Sequence, residues 1–104
     1  MTKAKATVRV VIPFHLQILA QVGPEIALNI EGIVTPNSIL DAIELRYPML
    51  CGTIRDHVTK KRRPLLRFFA CEKDVSHESP EMPLPEAILD GTEPFIIWGA
   101  VAGG

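Results

Sequence analysis

The stretch Thr35-Pro36-Asn37-Ser38-Ile39-Leu40-Asp41-Ala42-Ile43-Glu44-Leu45-Arg46-Tyr47-Pro48-Met49-Leu50 decides the fold class. Thr35 has the chemistry of an N-cap, and Pro36 suits the first helical position. Ile39, Leu40, Ile43 and Tyr47 recur at helical spacing and form one apolar stripe, which leaves Asp41, Glu44 and Arg46 pointing to water. Pro48 ends the helix near Tyr47, because a following proline disfavours the α region. One amphipathic helix and one half-wet sheet can bury each other's apolar faces.

The flanking segments supply that sheet. Residues 7–12, TVRVVI, are β-branched and read as a strand with Val8, Val10 and Ile12 inward and Thr7, Arg9 and Val11 outward. QVGPE marks a turn, and residues 25–31, EIALNIE, alternate cleanly, with Ile26, Leu28 and Ile30 on one face. The two segments make a hairpin with one wet face. GTIRDHVTKKRRP reads as a polar, basic loop. Residues 65–70, LLRFFA, read as a third strand with Leu66, Phe68 and Ala70 on one face and Arg67 and Phe69 on the other. The proline-bearing acidic stretch HESPEMPLPEAILDGTEP holds a short apolar turn, LPEAIL, and the turn signal Asp90-Gly91. The last strand is FIIWGAV, with Phe95 and Ile97 inward and Ile96 and Trp98 on the opposite face. Pairing the first and last strands in parallel, with the helix crossing over in the right-handed sense, gives an α+β β-grasp, the ubiquitin-like architecture.

Composition bounds the function. A chain of 104 residues suits one domain, here 1–104 with a tail at about 100–104, and 47% apolar against 22% charged residues is an ordinary globular mixture. A net charge of −1 supplies no field that draws the chain to nucleic acid or to an anionic membrane. No segment is long enough to span a bilayer, and the lysines and short apolar run at the start alternate like a strand and meet Pro13 early. Cys51 and Cys71 have neither CxxC spacing nor a framework, so they read as reduced thiols in a cytoplasmic protein.

Several local features invite chemistry. Cys51, Asp56 and His57 contain a nucleophile and a base, but nothing in the sequence fixes their geometry. His15 and His77 lack metal-ligand spacing. The run Lys60-Lys61-Arg62-Arg63 lacks interleaved aromatics and reads as solvated charge rather than a nucleic-acid site. No phosphate-binding glycine loop is present. If the alternation holds, Val11, Phe69, Ile96 and Trp98 share the outer sheet face with Arg67, which makes that face a candidate docking patch.

On these residues the chain resembles the MoaD/ThiS family of sulfur carriers over roughly residues 7–104. The matching features are VIPFHL after the first strand, the helix SILDAIELRYPML, RFFACEKDV, the apolar turn before Asp90-Gly91 (the family's PLxDGDEV region) and the terminal AVAGG. The departures are Cys71-Glu72-Lys73-Asp74 where the family often has Asn-Gly or Asn-Asp, Thr92-Glu93-Pro94 after the Asp-Gly turn, and Trp98-Gly99 before the tail.

The resemblance implies that Gly104 carries the chemistry, as an acyl adenylate and then a thiocarboxylate, while Gly103, Ala102 and Val101 give access. It implies no bound cofactor, since ATP is used by an adenylating partner enzyme, and it implies a sulfur donor and a sulfur-accepting synthase as further partners. Such a chain is a protein cosubstrate, not an enzyme. IPFHL, the charged turn and AVAGG lean toward the molybdopterin or cysteine type over the thiamine type. The alternative is a ubiquitin-like modifier or a non-catalytic interaction module.

Overall fold

The computed structural model describes residues 5–99. Strand β1 (Lys5–Val11) leads through helix α1 (Phe14–Ala20) to β2 (Glu25–Glu31), and then α2 (Pro36–Arg46) ends in a 3-10 turn, Pro48–Leu50. After a long loop come β3 (Leu66–Ala70), β4 (Lys73–Asp74), α3 (Glu86–Leu89) and β5 (Phe95–Gly99). The five strands form one mixed sheet in the order β2-β1-β5-β3-β4. β1 and β2 are antiparallel from Lys5↔Glu31 to Val11↔Glu25, and β1 and β5 are parallel through Val10↔Phe95 and Val11↔Ile96. This is the β-grasp expected from the sequence.

The alternation inferred for the strands holds. Val8, Val10, Ile26, Leu28, Ile30, Leu66, Phe68, Ala70, Phe95 and Ile97 are all buried on one face of the sheet. Ile39, Leu40 and Ile43 of α2 close over that face, and Tyr47 packs half-buried at the rim. The start of α2 is fixed as expected: Thr35 Oγ1 accepts the Ser38 N–H at 3.0 Å, and Ser38 Oγ accepts the Thr35 N–H at 2.8 Å.

Helix α1 is a departure, because the sequence pattern predicts only a turn between the first two strands. Only Leu16 and Ala20, one turn apart, face the core; Phe14, Ile18 and Leu19 are exposed, so no amphipathic stripe marks the helix. Its N-cap is Pro13, with no side-chain cap, so the usual start signal is missing as well. The two-residue strand β4 likewise falls where the pattern predicts a charged turn. It pairs with β3 across the loop Cys71-Glu72, whose residues have φ of +51° and +66°.

Glu44 does not point to water. Its side chain is only 12% exposed and clamps Arg55, which is 2% exposed, through Nε–Oε2 and Nη2–Oε1 contacts of 3.0 Å each. Asp41 and Asn37, each one turn further along the same face of α2, accept from Nη2 and Nη1 respectively. Burial opposes the Arg55 charge, but the Glu44 and Asp41 carboxylates outweigh it and hold the guanidinium above its ordinary range. The basic run is also tied down: Arg62 donates to the carbonyls of Ser76 and Leu66, Arg63 Nε donates to Gly52 O at 2.9 Å, and Lys60 pairs with Glu44 at 3.8 Å.

These contacts yield two expectations. Arg55→Ala leaves the largely buried Glu44 carboxylate with Lys60, at 3.8 Å, as its ion-pair partner among the described residues, and should cost about 3 kcal/mol in urea unfolding; adding Glu44→Gln should recover a good part of it. The Cys71-Glu72 loop demands positive φ at two residues with side chains, so Glu72→Gly should stabilise the chain by about 1 kcal/mol, read as a raised thermal midpoint.

Candidate docking face

The period of the strands builds this face. With alternate residues of β1, β5 and β3 committed to the core, their neighbours must line the opposite side. Register sets Val11 beside Ile96 and Ile96 beside Phe69, an apolar row across three strands, and sets Trp98 beside Arg67 one step along. Phe69, Ile96 and Trp98 line a shallow apolar depression, and Trp98 is 61% exposed. The structure therefore brings together all five outer-face residues singled out in the sequence: Val11, Arg67, Phe69, Ile96 and Trp98.

A largely polar arrangement on the neighbouring strands borders this row. Arg9 of β1 forks onto Glu25 of β2, with Nη2–Oε1 at 2.8 Å and Nε–Oε2 at 3.2 Å, and its Nη1 donates to Gly91 O at 2.8 Å. The Arg9 hydrogen bond pulls the Glu25 carboxyl below its ordinary range. Thr7 Oγ1 donates to Asn29 Oδ1 at 3.1 Å, also between β1 and β2. The outer face is thus wet over β2 and much of β1, and apolar over β5 and β3.

Arg67 sits at the far rim. Its Nη1 lies 3.1 Å from His77 Nε2 and 3.9 Å from Asp74 Oδ2. Asp74 is held below the usual carboxylate range, first by hydrogen bonds from Ser76 and then by the positive field of Arg67. An exposed pair at this distance is weak, so an acidic group on a partner can displace Asp74 at little cost.

The geometry around Cys51, open in the sequence, is fixed in the structure. Its Sγ lies 2.9 Å from His57 Nδ1, and Asp56 turns away to accept the backbone N–H groups of Val58 and Thr59. The pairing follows from the packing of Leu50, Ile54 and Arg55, which sequence spacing alone does not convey. Among the described residues no His, Cys, Asp and Glu cluster has the makings of a metal site, and no helix is long and apolar enough to cross a membrane. Val101, Ala102, Gly103 and Gly104 lie outside the described residues.

No family model matches the sequence, and no curated protein matches it. Solved structures do. SAMP1 from Haloferax volcanii superimposes with a TM-score of 0.71 at 13% identity, covering 94% of this chain and 99% of its own. The small archaeal modifier protein 1 from Methanosarcina acetivorans gives 0.70 at 21% identity, covering 97% and 99%. A chain of the Amycolatopsis orientalis BexX/CysO complex gives 0.68 at 21% identity, covering 93% and 99%. Over nearly its whole length, this chain has the β-grasp, ubiquitin-like fold of these small proteins.

Proposed function

We propose that this chain is a sulfur carrier of the MoaD/ThiS type, a protein cosubstrate that works in the cytoplasm, and that Gly104 is its reacting residue. The observation that supports this most directly is the position of β5. Its outward residues Ile96 and Trp98 belong to the apolar row, and its last residue, Gly99, leads straight into Ala100-Val101-Ala102-Gly103-Gly104. Five residues reach at most about 17 Å. A partner that grips Trp98 therefore also controls where the Gly104 carboxylate can go.

The chemistry then divides between the chain and its partners. In the adenylating enzyme, a Gly104 carboxylate oxygen attacks the α-phosphorus of ATP and pyrophosphate leaves. A sulfur nucleophile attacks the acyl carbon, AMP leaves, and the terminus becomes a thiocarboxylate that a synthase accepts. This chain supplies access rather than catalysis. Gly103 and Gly104 have no Cβ, so the acyl carbon stays open to attack and the tail fits a narrow cleft. Phe69, Ile96 and Trp98 supply the apolar contact to a partner, and Arg67 supplies a cation for an acidic partner group. Within this class, the sequence features favour the molybdopterin or cysteine type.

A second reading shares the same activated carboxyl: a lysine amine on a target protein takes the place of sulfur, making the chain a ubiquitin-like modifier. Its support is the fold shared with the two SAMP1 proteins, one of which is described as a small archaeal modifier protein.

Intact mass of the chain purified from its native host without added reductant tests the proposal. The expected species is heavier by exchange of one oxygen for sulfur on the C-terminal peptide. Trp98→Ala should lower its yield about tenfold while leaving the fold unchanged. A plain carboxylate, even after incubation with the host's adenylating enzyme, ATP and a sulfur source, would overturn the sulfur reading. Conjugates on lysine in that case would establish the modifier.

A further inference from the structure

The Cys51–His57 pair lies apart from the docking face, in the loop that follows α2, and the proposed tail chemistry makes no use of it. The pair is held from both sides. On the Cys51 side, the 3-10 turn ends with the Cys51 N–H donating to Pro48 O at 3.1 Å, and Leu50 is fully buried. Gly52, at φ +85°, reverses the chain, and Arg63 clamps its carbonyl at 2.9 Å. On the His57 side, Ile54 is fully buried and Arg55 is locked under α2 by Glu44, Asp41 and Asn37. Asp56 then fixes the next turn, its N–H donating to Lys61 O at 2.7 Å and its carboxylate accepting from Val58 and Thr59. Neither partner can drift far, so the 2.9 Å approach of Sγ to Nδ1 follows from the packing rather than from two free side chains meeting.

The setting also suits reaction. Cys51 is half-exposed and His57 is exposed, so a small molecule can reach the sulfur. Arg63 Nε, by holding the Gly52 carbonyl at 2.9 Å, fixes the backbone next to the thiol. Cys71 offers a comparison within the same molecule. It is more exposed than Cys51, yet no imidazole is bonded to it among the described residues.

We propose that Cys51 and His57 form a thiol–imidazole pair that makes Cys51 the site of S-thiolation by low-molecular-weight disulfides. The Cys51 proton passes to His57 Nδ1, and the thiolate attacks one sulfur of the disulfide. The S–S bond breaks, its electron pair leaves on the second sulfur, and that sulfur takes up the proton. The products are a Cys51 mixed disulfide and one free thiol, with no external oxidant or reductant consumed. Exposure alone would rank the cysteines the other way, with Cys71 ahead.

The test uses the full chain and an aryl disulfide, dithiobis(nitrobenzoate), whose released thiol is coloured. At neutral pH, the Cys71→Ser protein, which retains Cys51, should react at least about tenfold faster than the Cys51→Ser protein. His57→Gln in the Cys71→Ser background should remove most of that advantage. Equal rates, a faster Cys71, or a Cys51 rate untouched by His57→Gln would overturn the proposal. Should a variant fail to fold by circular dichroism, the unsubstituted chain decides: limiting reagent followed by peptide mass mapping must place the label first on Cys51, and a first label on Cys71 would overturn the proposal.

Discussion

The parallel pairing of β1 with β5 is the constraint on which the rest of the structure depends. It joins the two ends of the described chain through Val10↔Phe95 and Val11↔Ile96, and both Val10 and Phe95 are completely buried. Without it there would be two separate antiparallel pieces, β1 with β2 and β3 with β5, each too small to hold a core alone. With it there is one sheet wide enough for α2 to cover. A parallel neighbour also requires a crossover, and α2 is the element that makes it. The contact is the most distant in sequence, so its closure entropy must be offset by the packing it completes. Phe95 against Phe68, with ring centroids 5.6 Å apart, is part of that packing.

A second anchor acts where the sheet cannot. The stretch between the 3-10 turn and β3 has no strand partner of its own beyond the single bridge Arg55↔Arg62. Arg55 fixes it by presenting one guanidinium to three residues on a face of α2 beside its core stripe. Breaking such a cluster is costly because the carboxylate of Glu44 is already withdrawn from water. Helix α2 thus carries two registers: Ile39, Leu40 and Ile43 bind it to the sheet, and Asn37, Asp41 and Glu44 bind the loop to it.

What the sequence discloses and what it hides divide along physical lines. Period-two alternation in TVRVVI, EIALNIE, LLRFFA and FIIWGAV is a direct consequence of one-sided burial, so the core and the outer row are both legible in it. The cap and proline signals of α2 are equally local. Helix α1 is hidden because its exposed Phe14, Ile18 and Leu19 remove the polar face that would have marked it. The role of Glu44 is hidden because a charge on a helix reads as solvated unless its partner is known, and that partner lies in an irregular loop. The Cys51–His57 approach is invisible for the same reason. Local pattern reports which side of an element is buried; it does not report where a loop folds back.

The outer face shows how one rule produces two kinds of surface. On β1 and β2 the outward positions include Thr7, Arg9, Glu25 and Asn29, each bonded to a cross-strand partner. On β5 and β3 they hold Ile96, Trp98 and Phe69, whose apolar surface no segment among the described residues covers completely. β5 is the central strand of the sheet, so this surface is backed by the core itself: Phe95 and Ile97 alternate with Ile96 and Trp98 and are almost wholly buried. A Cβ on Gly99 would overlap Leu66 Cδ2 and lie 3.0 Å from Leu65 O, so β3 and β5 pack here with no room for a side chain. Close strand packing, a buried backing and an apolar outer row converge at β5. A partner docking on this row would meet a preformed surface and would not have to rearrange the core beneath it.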